Sequence, residues 1–218
     1  MAKVPAAGEV KTRLCPPLTP AQAAGLARCF LLDRVGQLRE IRGVAPIVAF
    51  TPPEREPELR PLLPEGVRVV PQQGADLGAR LDRLLTDLLA EGSGGAIAVD
   101  ADSPTLPTDF IRQACAHLAG GAADVVLGPC DDGGYYLIGL RLAVPELFRD
   151  MPWSTPAVLG ETVARTRRLG LRLALLQPWF DVDRGADLGR LRASAEAPGA
   201  HRPSRTLAFL ARELAWAP

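Results

Sequence analysis

Asp100 and Asp102 stand two residues apart at the end of a short apolar run, Ala96-Ile97-Ala98-Val99, and Ser103-Pro104 follows them. Two carboxylates just past a strand are hard oxygen ligands of the kind that holds Mg²⁺ or Mn²⁺ while phosphates complete the shell. If the backbone stays extended, a spacing of two puts both side chains on one side. A turn cap plus a solvated aspartate would give the same letters, and the pattern alone leaves both readings open. A second Asp-x-Asp, Asp181-Val182-Asp183, follows a later apolar stretch. Both acidic clusters could converge on one cation. At the chain start, Lys3, Gly8, Lys11, Thr12 and Arg13 share one short segment. Basic side chains and backbone N–H groups beside a glycine form an anion nest. The chain has only two lysines, Lys3 and Lys11, and both lie in this segment. A compact ammonium is a common phosphate partner. The G-x-x-K spacing is too short for a Walker A loop.

Two further stretches carry candidate binding groups. Gln72-Gln73-Gly74-Ala75-Asp76 sits between an apolar run and a helical pattern. Its amides offer donor and acceptor together, as a nucleobase edge requires, and Asp76 suits a helix cap. Asp132-Gly133-Gly134-Tyr135-Tyr136 pairs glycines with aromatic rings on which a sugar or other polar ring could stack. The alternative is a hairpin whose tyrosines enter the core. His117 and His201 fall in helix and linker stretches and look incidental. None of Cys15, Cys29, Cys115 and Cys130 forms a C-x-x-C pair, so a zinc site is not expected. Cys29 and Cys115 are expected to be buried thiols.

These residues need a scaffold, and the apolar pattern supplies one. Strands are expected at 44–50, 67–70, 96–99, 124–127 and 171–176. Helices are expected from Thr19-Pro20 onward, over a short polar stretch at 54–62, and at 76–89, 109–118 and 145–148. Three more are expected: one capped by Ser154 or Thr155 and ending near Gly170, one starting at Asp187, and one at 206–216. Strands alternating with helices predict an α/β class with a mainly parallel sheet. In such sheets ligands bind beyond the carboxyl ends of the strands.

The chain has 218 residues, 47% of them apolar, and a formal net charge of zero. That length suits one domain over 1–218, with 193–218 as a linker and closing helix. Zero net charge argues against a nucleic-acid partner, and the apolar runs are too short for a membrane span. No signal segment opens the chain, so the cytoplasm is the expected location.

Six motifs in order carry a resemblance. They are K-V-P-x-x-G-x-V-K-T-R-L from Lys3, G-A-D-L-G-x-R-L from Gly74, D-S-P-T-L-P from Asp102, D-G-G-Y-Y-L-I-G-L from Asp132, P-W-S-T from Pro152, and D-V-D-x-x-x-D-L from Asp181. With them the chain resembles the rSAM/selenodomain-associated transferase 1 family. That is a branch of the glycosyltransferase-A, nucleotide-diphospho-sugar transferase superfamily. It is also similar to nucleotidyltransferases acting on 2-phospholactate or on the molybdenum cofactor. The resemblance implies a three-layer αβα fold with a mainly parallel twisted sheet, and a Mg²⁺- or Mn²⁺-dependent transferase. Lys11, Arg13 and Asp102 would be catalytic. Lys3, Gly8, Thr12, Gln73, Gly74 and Asp76 would join Lys11 and Arg13 in binding the nucleotide. Asp102 and Asp183 would hold the metal, with Asp181 and Asp100 as lesser ligands. Asp132, Gly133, Gly134, Tyr135, Trp153 and Ser154 would shape the acceptor side. The expected partners are a nucleoside triphosphate or nucleotide sugar and a small-molecule acceptor, in a monomer or homodimer. Nucleotidyl transfer leads. Glycosyl transfer is the alternative, and an inactive nucleotide-binding scaffold is the third reading. Family members begin with an apolar strand before the lysine loop. Here the chain opens at Met1-Ala2-Lys3, so that strand is expected to be missing or to precede Met1.

Overall fold

A computed structural model describes residues 1–214. It divides into two compact units that exchange the chain several times. Among the described residues the first holds 1–71, 101–108 and 181–214; the second holds 72–100 and 109–180.

The first unit has a three-stranded parallel sheet in the order β1-β2-β3, formed by β1 (Ala2–Lys3), β2 (Ile47–Thr51) and β3 (Arg68–Pro71). The chain start thus contributes a two-residue strand, registered with Phe50 and Thr51. α1 (Pro20–Arg39) begins as expected. Thr19 caps it, accepting from the Gln22 N–H, while the Gln22 side chain reaches back to the Thr19 N–H. This reciprocal pair satisfies two N–H groups that a helix start otherwise leaves unbonded. Leu31 and Val35 of α1 pack with Val4, Val48, Phe50, Leu59 and Val67 into one apolar core. The polar stretch after β2 forms α2 (Glu56–Leu59), flanked by 3₁₀ turns at Pro53–Arg55 and Arg60–Leu62. The last helix of this unit, beginning at Ser204, lies against α1. A Cβ on Gly25 would meet the Phe209 ring at 2.6 Å, so glycine sets this close approach.

The second unit has four strands: β4 (Ala96–Val99), β5 (Val125–Pro129), β6 (Tyr135–Leu140) and β7 (Leu173–Leu175). Their order is β4-β6-β5-β7, so β4 is an end strand of this sheet. β6 runs antiparallel to both neighbours, while β5 and β7 are parallel. β6 was legible only as half of a hairpin. Helices α3 (Leu77–Ala90), α4 (Thr108–Ala119) and α5 (Val158–Arg168) complete the unit. Asp76 caps α3 through the Ala79 N–H at 2.8 Å, as expected. α5 differs from expectation: its N-cap is Ala157, whose N–H reaches the Thr155 hydroxyl at 3.3 Å. α6 (Asp187–Ala195) and α7 (Ser204–Glu213) return to the first unit. The expected end of the closing helix at Trp216 lies outside the described residues.

Cys29 and Cys115 are half-buried rather than buried, and all four thiols are free. Among the described residues no helix is long and apolar enough to cross a membrane.

Candidate active site

The basic loop folds inward on apolar pegs. Val10, Leu14 and Leu18 are buried, and the Leu18 N–H bonds to the Leu14 carbonyl. Between the pegs Lys11 takes a left-handed conformation, with φ of 49°, and caps a 3₁₀ turn at Thr12–Leu14. A left-handed non-glycine residue is uncommon and often marks a functional site. Here it turns the lysine stem inward, leaving the side chain only 6% exposed.

The buried ammonium meets the two acidic clusters. Lys11 Nζ lies 2.9 Å from Asp102 Oδ1 and 3.8 Å from Asp183 Oδ1. It also donates to the Val182 carbonyl at 2.8 Å. Arg13 holds the other oxygen of Asp183 at 2.8 Å and stays largely exposed. The Val182 N–H donates to the Asp102 carbonyl at 2.8 Å, which stitches the two acidic segments together. Asp102, Asp183, Lys11 and Arg13 therefore form one constellation. Asp181 is half-buried and separated from Asp183 by the fully buried Val182. Asp100 does not share an extended backbone with Asp102, because β4 ends at Val99 and the chain bends at Ala101–Asp102. Its amide instead continues the ladder to Tyr136, within the second unit. Lys3, Gly8 and Thr12 lie on the exposed side of the loop; Gly8 has a φ of 78° with open space around it.

Three supports of this constellation escaped the sequence reading. Arg34 and Gln37, on the buried face of α1, grip the loop after Asp102. Arg34 donates to the Ser103 carbonyl at 2.6 Å, and Gln37 to the Leu106 carbonyl at 2.7 Å and to Thr108 at 3.0 Å. Arg34 also donates to Gln37. The signal was present as polar letters on an apolar helix face. The third support is Asp187, whose Oδ2 accepts from the Asp183 and Arg184 N–H groups at 3.0 and 2.6 Å. That bond explains why the motif is D-V-D-x-x-x-D rather than D-V-D alone. Gly185 fits for a related reason: a Cβ there would meet Pro17 at 2.7 Å.

Asp102 Oδ1 and Asp183 Oδ1 face one cation, at present the ammonium. Among the described residues no cluster of three or more His, Cys, Asp or Glu surrounds a single position. A carboxylate pair without a full protein cage still fits Mg²⁺, which keeps sites for water and substrate phosphates.

The remaining candidates lie in the second unit. The Asp132 carboxylate accepts from the Gly134 N–H at 2.8 Å. Gly133 has a φ of 89°, and the position of its missing Cβ is 2.3 Å from the Pro156 carbonyl oxygen. Tyr135 meets Trp153 edge-on at 6.4 Å, and burial pushes the Tyr135 phenol well above its usual range. Tyr136 is in the core and donates to the Gln177 carbonyl at 2.9 Å, so it offers no stacking face. The Trp153 indole N–H is buried without an acceptor among the described residues. Gly78 abuts that ring, which ties the G-A-D-L-G motif to P-W-S-T by packing. Ser154 is exposed, with a φ of 63°. Gln73 is exposed, and Gly74 lies against the first turn of α3.

A solved structure from Desulfovibrio desulfuricans G20, assigned to the nucleotide-diphospho-sugar transferases, matches with a TM-score of 0.89 at 31% identity. The match covers 98% of this chain and 92% of that one. The α/β fold of this superfamily, expected from the motifs, is thus the fold of the chain. The chain belongs to the family described as "Uncharacterized protein conserved in bacteria (DUF2064)", whose model matches residues 33–155. It is 32% identical to the phosphoenolpyruvate guanylyltransferase of Rubrobacter xylanophilus, over 89% of this chain and 92% of that protein. It is 27% identical to the 2-phospho-L-lactate guanylyltransferase of Methanothermobacter thermautotrophicus, over 91% of this chain and 86% of that protein. Kinship of this extent makes the chain an enzyme of the transferase class.

Proposed function

We propose that the chain is a nucleotidyltransferase that moves a nucleoside monophosphate from a triphosphate onto a small phosphorylated acceptor. The observation that carries this reading is the convergence of Asp102 and Asp183 on the Lys11 ammonium, with Arg13 on the outer oxygen of Asp183. Both curated relatives are named as guanylyltransferases of phosphorylated three-carbon acids, so guanosine triphosphate is the first donor to test. The six motifs favour the rSAM/selenodomain-associated transferase 1 branch.

An acceptor phosphate oxygen attacks the α-phosphorus. A new P–O bond forms, the bond from that phosphorus to the α–β bridging oxygen breaks, and pyrophosphate leaves with the electron pair. Positioning and electrostatics carry such chemistry, so no side-chain nucleophile is needed. Asp102 and Asp183 would hold Mg²⁺ or Mn²⁺, which would supply Lewis-acid neutralisation of phosphate charge. Arg13 offers its exposed fork to phosphate oxygens. Lys3, Gly8 and Thr12 present the open side of the loop to the β- and γ-phosphates. The motif resemblance assigns Gln73, Gly74 and Asp76 to the base and Asp132 to Tyr135, Trp153 and Ser154 to the acceptor.

The test is pyrophosphate release from each of the four ribonucleoside triphosphates with Mg²⁺ and either phosphoenolpyruvate or 2-phospholactate. Release with one triphosphate and a phosphorylated acid supports the reading. Hydrolysis of a nucleotide sugar, with no pyrophosphate from any triphosphate, replaces it with glycosyl transfer. Nucleotide binding without turnover of either kind replaces it with a scaffold.

A further inference from the structure

Lys11 makes contacts that a simple phosphate ligand would not need. Its ammonium is almost wholly buried, and its bonds go to the Asp102 carboxylate and the Val182 carbonyl, with Asp183 close by. The same loop adds Arg13 to Asp183. Two carboxylates are thus already balanced by two cations. A divalent ion arriving alone would meet no net negative charge, and it would compete with a hydrogen-bonded ammonium in a partly desolvated place. An ion arriving with a triphosphate brings excess negative charge, which gives the ammonium a new partner.

We propose that Lys11 is a resident counter-ion. In the free enzyme it occupies the cation position of the Asp102–Asp183 pair, and it yields that position to the metal–nucleotide complex by turning to the phosphates. This rests on the nucleotidyltransferase reading and adds an order of binding: metal and nucleotide enter together. Lysine suits the task better than arginine, because a point charge on a flexible stem exchanges partners without a planar fork to realign.

The chain provides its own control, since Lys3 is the only other lysine and is exposed. Amine acetylation, read by peptide mass spectrometry, reports both side chains at once. Lys11 should label much more slowly than Lys3 in the free protein. Saturating Mn²⁺ alone should speed Lys11 labelling several-fold and leave Lys3 unchanged. Mn²⁺ with guanosine triphosphate should protect Lys11 again. Calorimetry supplies an independent measure. Lys11→Met should bind Mn²⁺ without nucleotide roughly tenfold more tightly than the wild-type chain, as expected when one charged competitor is removed. Adding Asp102→Asn to that variant should cancel the gain.

If Mn²⁺ binds the wild-type chain and Lys11 labelling does not change, the counter-ion role is overturned and the metal site stands. If Mn²⁺ binds under no condition, with or without nucleotide, the metal assignment itself falls and takes this role with it. Should Lys11→Met fail to fold, wild-type labelling decides alone.

Discussion

Asp187 holds Asp183. One carboxylate oxygen of Asp187 accepts the backbone N–H of Asp183 at 3.0 Å and that of Arg184 at 2.6 Å. It fixes the turn from which the Asp183 side chain reaches Lys11 and Arg13. Asp187→Ala should lower stability by about 1–2 kcal/mol, the order expected when a carboxylate that accepts two backbone N–H bonds is removed. It should reduce turnover further by releasing Asp183. Asp187→Asn keeps an acceptor oxygen and should restore most of both. Urea titration beside pyrophosphate release separates the two effects.

Asp102→Asn should leave the fold intact, because Lys11 keeps the Val182 carbonyl and Asp183. Metal-dependent donor binding should fall by about a hundredfold, in the range seen when one electrostatic group is removed from such a site. A thermal-shift titration with guanosine triphosphate and Mg²⁺ reads this directly. Undiminished metal-dependent affinity would remove Asp102 from the site.

Arg34→Met should destabilise by about 2–4 kcal/mol without touching the acids. It removes the charged donor to the buried Ser103 carbonyl, which keeps the Leu106 N–H, and takes the same guanidinium from Gln37. Buried hydrogen bonds from a charged group are worth about 1.5–3 kcal/mol each. Guanidinium denaturation measures the loss. Because the same loop carries Asp102, donor affinity should fall too, and the Met variant tests whether α1 positions the site at a distance.

Asp124 gives a pH dependence unrelated to catalysis. It is buried between Arg141 and Arg172, whose hydrogen bonds, Arg172 first, hold its carboxyl well below the usual range. The folded state therefore favours the ionised form. Its contribution is fully present above the ordinary carboxylate pKa of about 4 and shrinks as pH falls from there toward the depressed folded value. Asp124→Asn should lower the urea midpoint at pH 7, and the two chains should converge only in strong acid. An unchanged gap between pH 7 and pH 2 would count against the ion pairs as its source.

Gly133 and Gly8 make a matched pair. Both have positive φ, but Gly133 presses on the Pro156 backbone and Gly8 faces open space. Gly8→Ala should cost about 1 kcal/mol from backbone conformation alone. Gly133→Ala should cost about 2–4 kcal/mol, because strain and overpacking add. Thermal melts of the two variants measure the difference.

What was legible in the letters follows from what acts locally. The α1 capping box, the Asp76 cap and the alternation of strands and helices depend on neighbouring residues, and they stood out. The acids, Lys11 and Arg13 stood out as chemistry, but their mutual contacts did not, because they join segments far apart in the chain. Spacing misled at Asp100 and Asp102, where the strand stops one residue before the pair and the chain bends. Arg34 and Gln37 were hidden for the opposite reason. They act on backbone groups 69 positions away in the chain, which nothing in their own neighbourhood reveals, whereas Asp187 acts within its own motif, on the N–H groups of Asp183 and Arg184. The two tyrosines show how a single residue step divides roles: Tyr136 went to the core, and Tyr135 turned against Trp153.

Arg13 and Asp183 are 170 residues apart. During synthesis at about 5–20 residues per second, the basic loop leaves the ribosome on the order of ten seconds before its second acid exists. Until then Arg13 lacks its carboxylate partner and Lys11 has only Asp102, while the segment that forms the second unit has already been synthesised. A nascent chain arrested before Asp183 should therefore bind metal no better than Asp102 does alone, which makes assembly of the two-acid site a late event on the ribosome.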